Sequence, residues 1–292
     1  MTTDTADPTR LATPPTFQDV SFGRRFKNGA ATVLVTLAFL VAVVPLVWVL
    51  YTVIERGLPV VLNADWWQKS LSGLLSRQQG GGAYHAIVGT LAQGIVCGLM
   101  SVPIGILVAV YLVEYGGRSR LAKATTFMVD ILTGVPSIVA ALFVYALWIT
   151  TLGFNRSGFA VSLALVLLMV PVVVRTTEEM LKIVPDELRE ASYALGIPKW
   201  KTIVKVVIPT ALSGILTGIM LALARVMGET APVLVLAAYA PFINYNLFQG
   251  PMASLPLMMN TERNNPTQAG FERIWGAAIT LVLIITLFNL LA

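Results

Sequence analysis

Arg225 and Glu229 stand four residues apart inside an apolar stretch, in the run Ala224-Arg225-Val226-Met227-Gly228-Glu229-Thr230-Ala231-Pro232. That spacing puts two side chains on one face of a helix. Each charge is costly in hydrocarbon, about 2.5–3.5 kcal/mol for a central Arg or Asp on insertion scales. Such groups therefore face a protein interior or a wet cavity, and mark a candidate site by default. A guanidinium offers paired hydrogen bonds to an oxyanion. The alternative is that Arg225 and Glu229 neutralise each other and brace the bundle. Arg225 lies 16 residues past Pro209, roughly 24 Å along a helix at about 1.5 Å per residue, in the middle-to-outer half of a bilayer. Glu229 and Thr230 beside it join the same candidate pathway. Asp130 is a third embedded charge, expected to cap or pair near the interface. Gly134, Pro136 and Ser137 follow it and can open the backbone toward a cavity, which adds Ser137 to the pathway candidates. The single histidine, His85, and single cysteine, Cys97, leave no His/Cys metal site and no intrachain disulfide. Both read as packing or boundary residues, and Asn289 as a bond between helices.

A second constellation is Val184-Pro185-Asp186-Glu187-Leu188-Arg189-Glu190-Ala191-Ser192-Tyr193-Ala194-Leu195-Gly196, followed by Ile197-Pro198-Lys199-Trp200. Pro185 suits the first turn of a helix, and Asp186 and Glu187 favour its positive end. Leu188, Ala191 and Leu195 share one face. Gly196 is placed to stop the helix in a left-handed cap, and Pro198 prevents its continuation. The spacing predicts a short helix held between two stops, able to act as a rigid lever; an ordinary polar turn is the plainer reading.

The elements that must carry these residues follow from composition. The chain has 292 residues, 56% hydrophobic and 12% charged, against about 45–50% and 25% in soluble domains. Its mean hydropathy is +0.77. A water-soluble globule could not hide that much apolar surface, which excludes a soluble enzyme, a nucleic-acid binder and a disordered regulator. The net charge of +5 fits Lys and Arg retained on the cytoplasmic side. A spanning helix needs about 20 mostly apolar residues. Six stretches qualify, near 30–54, 86–113, 125–150, 159–177, 209–239 and 274–292, and Pro45, Pro103, Pro136, Pro171 and Pro232 are expected to interrupt five of them. With both termini inside, thirteen Lys and Arg fall in cytoplasmic segments and six in outer ones, as the positive-inside rule requires. Residues 1–29 read as a flexible cytoplasmic tail, residues 30–292 as the transmembrane domain, and 178–208 as its cytoplasmic loop. The apolar run after Arg24-Arg25-Phe26-Lys27 is about 25 residues with no small-residue cleavage site, so a retained anchor is expected. Trp66, Trp67, Leu71, Leu74 and Leu75 suggest a short outer helix lying at the interface. No internal repeat is evident.

The loop then carries a resemblance. Glu190-Ala191-Ser192, Gly196 six residues after the Glu, and Val206-Val207-Ile208-Pro209 resemble the EAA loop of ABC importer permeases, E-A-A, three residues, G, nine residues, I-x-L-P. Ser192, Val206 and Ile208 are mild departures. Further blocks are Gly81-Gly82 with Ala86 to Leu91, Val102 to Gly105, Tyr111 to Gly116, Asp130 to Tyr145, and Ala224 to Pro232. Together they resemble, over about 80–292, the PstA-type permease subunits of bacterial phosphate importers. The Gly-Glu-Thr-Ala-Pro run favours the A-type over the C-type sister. The resemblance implies an all-α integral membrane protein of six transmembrane helices with the type I ABC importer (MetI-like) fold, in the bacterial inner membrane. It implies a helix around Glu190, with Ala191, Ser192, Leu195 and Gly196, docking into a groove on a separate ATPase. The chain has no Gly-Lys dipeptide and so no P-loop; ATP and Mg belong to the partner, and no cofactor or metal is expected here. The implied partners are a C-type sister permease, two ATPase subunits, a phosphate-binding protein and membrane lipid, without nucleic acid.

Residue chemistry alone leaves other readings open. Arg225 is compatible with sulfate, molybdate or phosphonate. A self-sufficient secondary transporter would use Glu229 or Asp130 as a proton or sodium site. A membrane enzyme lacks a convergent nucleophile, base and metal set.

Overall fold

The computed structural model describes residues 21–117 and 119–292. Residues 1–20, most of the expected tail, and Arg118 lie outside the described residues. The regular elements among the described residues are all helices, without a strand. In chain order the helices are α1 (Phe22–Val61), α2 (Ala64–Gln68), α3 (Tyr84–Val110), α4 (Arg120–Gly134), α5 (Ser137–Val144), α6 (Gly158–Ile183), α7 (Asp186–Ala194), α8 (Lys199–Thr202), α9 (Ile208–Met227), α10 (Ala231–Leu236), α11 (Leu255–Glu262) and α12 (Gln268–Leu291). Wide π-helical turns extend α3 through Tyr111–Tyr115, extend α5 through Tyr145–Thr151, and join α8 to α9 through Ile203–Val207.

Five helical segments are long and apolar enough to cross a membrane, and α4 with α5 makes a sixth if that bent pair is one span. The third expected span is interrupted at Pro136, as its sequence suggests: α4 and the extended α5 meet at 106°. Pro136 is the cause, because proline removes a donor and pushes the residue before it out of the helical region. Val135 accordingly sits at φ −72°, ψ 125°. Pro45, Pro103 and Pro171, expected to interrupt their spans, lie inside unbroken helices. The fifth span is also shorter than 209–239: α9 ends at Met227, and Pro232 opens α10 in its first turn. The first helix begins at Phe22, within the stretch read as tail.

The chain divides into two units, Met1–Tyr51 and Thr52–Ala292. The described part of the first is a single helix whose apolar side chains, Leu34, Phe39, Val41 and Val47 among them, are exposed along its length. The second unit is built around α6, where Val161, Met169, Val173 and Leu181 are buried among side chains of α3, α5, α9 and α10. Gly105 lets α3 lie close on α6, since a Cβ there would stand 2.6 Å from Val173 Cγ1. A second cluster joins Val53, Trp66, Leu71, Ala86, Leu255, Met258 and Ala277. Trp66 corrects the expectation of an interfacial helix: it is buried, and its indole N–H donates to Thr280 Oγ1 at 2.9 Å. A ring expected at the headgroups instead wedges α2 against α12, with its N–H satisfied, as a buried indole requires.

Candidate functional site

Arg225 projects from the last turn of α9 and is exposed. Glu229 lies in the break between α9 and α10 and is half-buried. The two do not share a helix face as their spacing suggests. The helix closes at Gly228, whose N–H bonds the Arg225 carbonyl at 3.2 Å, so Glu229 falls past the end of the spiral. Neither side chain makes an ion pair among the described residues. The neutralised pair is therefore not formed in this structure, and Arg225 keeps an open guanidinium. Thr230 is exposed at the N-terminal cap of α10, its carbonyl accepting from Leu234 N–H at 3.1 Å.

Glu229 lines a small internal cavity with Thr90 and Gln93 of α3, Val226 and Met227 of α9, Val233 of α10, and Ser254 and Pro256 at α11. Gln93 and Ser254 are 2% and 1% exposed. Gln93 Nε2 and Ser254 Oγ have no hydrogen-bond partner among the described residues. Thr90 is fully used, donating to Ala86 O at 2.9 Å and accepting from Leu255 N–H at 2.8 Å. Unsatisfied buried polar atoms are rare and costly, so a wall that carries two of them is a functional candidate.

The structure keeps Asp130 and Ser137 apart from that cavity, whose lining includes neither of them. Asp130 pairs with Arg175, which also donates to Glu178 at 2.8 Å, and Glu178 accepts from Lys182 at 2.7 Å. Ser137 opens α5 at the bend and is half-buried.

The loop between α6 and α9 folds as the two stops dictate. α7 runs from Asp186 to Ala194 with Pro185 as its cap, and Gly196 takes φ +76°. Leu188, Ala191 and Leu195 are exposed, Leu195 at 80%. Tyr193 and Trp200 are exposed beside them. Glu190 is exposed and makes no ion pair among the described residues. Ser192 points the other way: it is buried, and its hydroxyl is 2.8 Å from Thr202 Oγ1. The apolar face thus looks outward, and the polar Ser192 holds α7 to α8.

Residues 101–292 match the family described as binding-protein-dependent transport system inner membrane component. The chain is 58% identical to the phosphate transport system permease protein PstA 1 of Mycobacterium tuberculosis (strain H37Rv), over 96% of this chain and 90% of that one. It is 56% identical to PstA of Mycobacterium leprae (strain TN), over 99% of this chain and 94% of the relative. The chain belongs to the PstA permease family. PstA of Pasteurella multocida (strain Pm70) is 38% identical over 92% of this chain and 94% of its own. Among solved structures, a bacterial ABC transporter involved in the import of the acidic polysaccharide alginate aligns at TM-score 0.60 and 14% identity, over 92% of this chain and 98% of its own. The inward-facing MetNI methionine ABC transporter aligns at TM-score 0.55 and 19% identity, over 72% of this chain and 90% of its own. Both share the fold of importer permeases.

The permease is thus a multi-pass, non-catalytic component of the inner membrane. Several of its polar residues are not evident from sequence reasoning. Gln93 carried a signal, a polar side chain in the middle of the apolar run 86–113. Ser254 carried none, since a lone serine in a loop is ordinary. Arg273 is buried in α12 against Glu262 at 3.5 Å and donates to the Gln78 carbonyl at 2.7 Å.

Proposed function

We propose that this chain forms half of the translocation pathway of an ATP-driven importer of inorganic phosphate. The observation that carries the reading is Arg225: a guanidinium within a long apolar span, exposed and without a carboxylate partner among the described residues. An open guanidinium at that depth suits a doubly hydrogen-bonded oxyanion, whereas a closed pair would leave little positive charge to attract one. Glu229, Thr230 and Ser137 are the other pathway residues of the proposal. The names of relatives at 56–58% identity support phosphate as the anion.

A C-type sister permease completes the pore, two ATPase subunits lie below it, and a phosphate-binding protein delivers the anion at the outer face. Both termini lie in the cytoplasm, as the Lys and Arg distribution favours. Glu190 and Ala191 on α7, with Leu195 and Gly196 just past its end, form the ATPase-docking segment, and Ser192 anchors it from behind. Closure of the ATPases moves α7 and swings the spans from inward-open to outward-open. ATP and Mg bind the partner, and this chain carries no cofactor.

The test is phosphate uptake in cells lacking this chain, rescued with wild type, Glu190→Lys and Arg225→Gln. Wild type restores uptake; Glu190→Lys loses the ATPase, while Arg225→Gln assembles but does not transport. Failure of wild type to restore uptake sinks the substrate assignment.

A further inference from the structure

Arg189 commits every arm of its guanidinium to bonds within this chain. Nε and one terminal nitrogen donate to Glu114 Oε1 at 3.1 and 3.0 Å. That same terminal nitrogen donates to the Leu181 carbonyl at 3.0 Å. The other donates to the Val184 carbonyl at 2.7 Å and to Asp186 Oδ1 at 3.1 Å. The side chains of Arg189 and Glu114 are 13% and 5% exposed, in contrast to the exposed Glu190 next along the helix. Successive residues on a helix point about 100° apart, so one can face the spans while its neighbour faces outward.

Glu114 belongs to the wide turn Tyr111–Tyr115 at the foot of α3. The other side of the loop holds the same turn. Lys199 at the start of α8 donates to the Glu114 main-chain carbonyl, and its ammonium lies 4.9 Å over the Tyr115 ring. α7 and α8 therefore grip one turn of α3, through its carboxylate and its backbone. A buried ion pair is poor evidence of added stability, because apolar residues of the same volume commonly hold a fold as well or better. What a forked, charge-assisted contact adds is a fixed geometry between two elements. α3 carries that constraint across the bundle, through Gln93 at the Glu229 cavity and Thr90, which is bonded to Leu255 N–H.

We propose that Arg189 and Glu114 are positioning residues that latch α7 to α3, so that displacement of α7 is delivered to the helix lining the Glu229 cavity rather than lost as sliding. The proposal rests on the reading that α7 docks on an ATPase. It is tested in proteoliposomes holding the whole complex, with phosphate transport and ATP hydrolysis measured on the same sample. Arg189→Lys keeps the charge and loses the fork; Glu114→Ala loses the acceptor; Glu114→Gln keeps an acceptor oxygen. Arg189→Lys and Glu114→Ala are expected to retain the ATPase and its hydrolysis while phosphate moved per ATP falls roughly tenfold, a common scale for coupling between sites. Glu114→Gln recovers most of that ratio. An unchanged ratio in both variants overturns the latch. So does a parallel fall of transport and hydrolysis, loss of the ATPase from both, or no recovery with Glu114→Gln. A wild-type complex that fails to hold the ATPase overturns the docking reading itself, and is distinguished because it needs no variant.

Discussion

Glu229 does not stand one turn above Arg225, although the two are four residues apart; the helix that carries Arg225 ends at Met227 and leaves Glu229 against a cavity with Gln93 and Ser254. Two charges that could have cancelled are turned to different surroundings. Arg225 is open, and Glu229 lines a cavity together with two residues whose buried polar atoms are unsatisfied among the described residues.

If they act separately, removing both is no cure for removing one. Arg225→Gln alone abolishes phosphate uptake, and Arg225→Gln with Glu229→Gln is expected to be equally inactive. A paired role predicts the opposite, because deleting both members of an ion pair spares the cost of stranding one. Arg225→Lys keeps the charge without the fork, and its uptake should fall roughly tenfold, for the loss of about one good bidentate contact. Initial rates of radiolabelled uptake at equal expression separate these cases, and recovery in the double variant would disprove independent roles.

Asp130 and Arg175 meet across α4 and α6, with side chains 59% and 30% exposed. Arg175 divides its guanidinium between Asp130 and Glu178, so neutralising Asp130 does not strand it. Asp130→Asn is therefore expected to leave the melting temperature of the purified complex within a few degrees and uptake within about twofold. Arg175 keeps Glu178 as a partner in that variant. A collapse of uptake in Asp130→Asn with an unchanged melting temperature would move Asp130 into the transport pathway, against this assignment.

Gly196 sits at φ +76° with open space where a Cβ would go, so substitution there is a matter of backbone strain alone. Gly196→Ala costs about 1–2 kcal/mol, the penalty of a left-handed turn for a residue with a Cβ. The strain falls on the link between α7 and α8, and the expected result is weakened ATPase retention with the spans still folded. Co-purification of the ATPase against the yield of the permease measures it. Equal retention in wild type and Gly196→Ala would mean that the cap does not set the docking geometry.

The same glycine shows how much of the molecule can be read from residues. A stop made of Gly196 and Pro198 is local chemistry, and α7 ends where those two residues place its end. The spans were legible for a similar reason, since a run of apolar residues long enough for a bilayer has few other uses. The breaks were not. Pro103, Pro136 and Pro171 are the same residue in similar company, yet only Pro136 separates two helices, because the outcome depends on whether neighbouring helices can satisfy the carbonyls that an interrupted ladder frees. Trp66 was misread as an interfacial ring for a parallel reason: its burial is fixed by room beside Gly276 and an acceptor on Thr280, both more than 200 residues away in sequence. The candidate site divides along the same line. Arg225 and Glu229 announce themselves as charges in an apolar run, while the turn that separates them and the cavity that Ser254 shares with Glu229 are tertiary facts.

Ser254 gives a test in which stability and transport are expected to part. Its hydroxyl is buried, 1% exposed as a residue, and without a partner among the described residues. An unsatisfied buried hydroxyl carries a desolvation cost of about 1–3 kcal/mol, so its removal is neutral or stabilising for the fold. Ser254→Ala is expected to match or exceed the wild-type melting temperature. If the hydroxyl serves an anion passing Glu229, the same variant loses uptake, roughly three- to tenfold for one neutral hydrogen bond of about 0.5–1.5 kcal/mol. Gln93→Leu, of similar volume, should behave the same way for the amide. Measuring melting temperature and initial uptake on the same preparations decides it: a stabilised, slow variant supports a polar pathway wall. A variant that transports at the wild-type rate assigns the hydroxyl to packing alone.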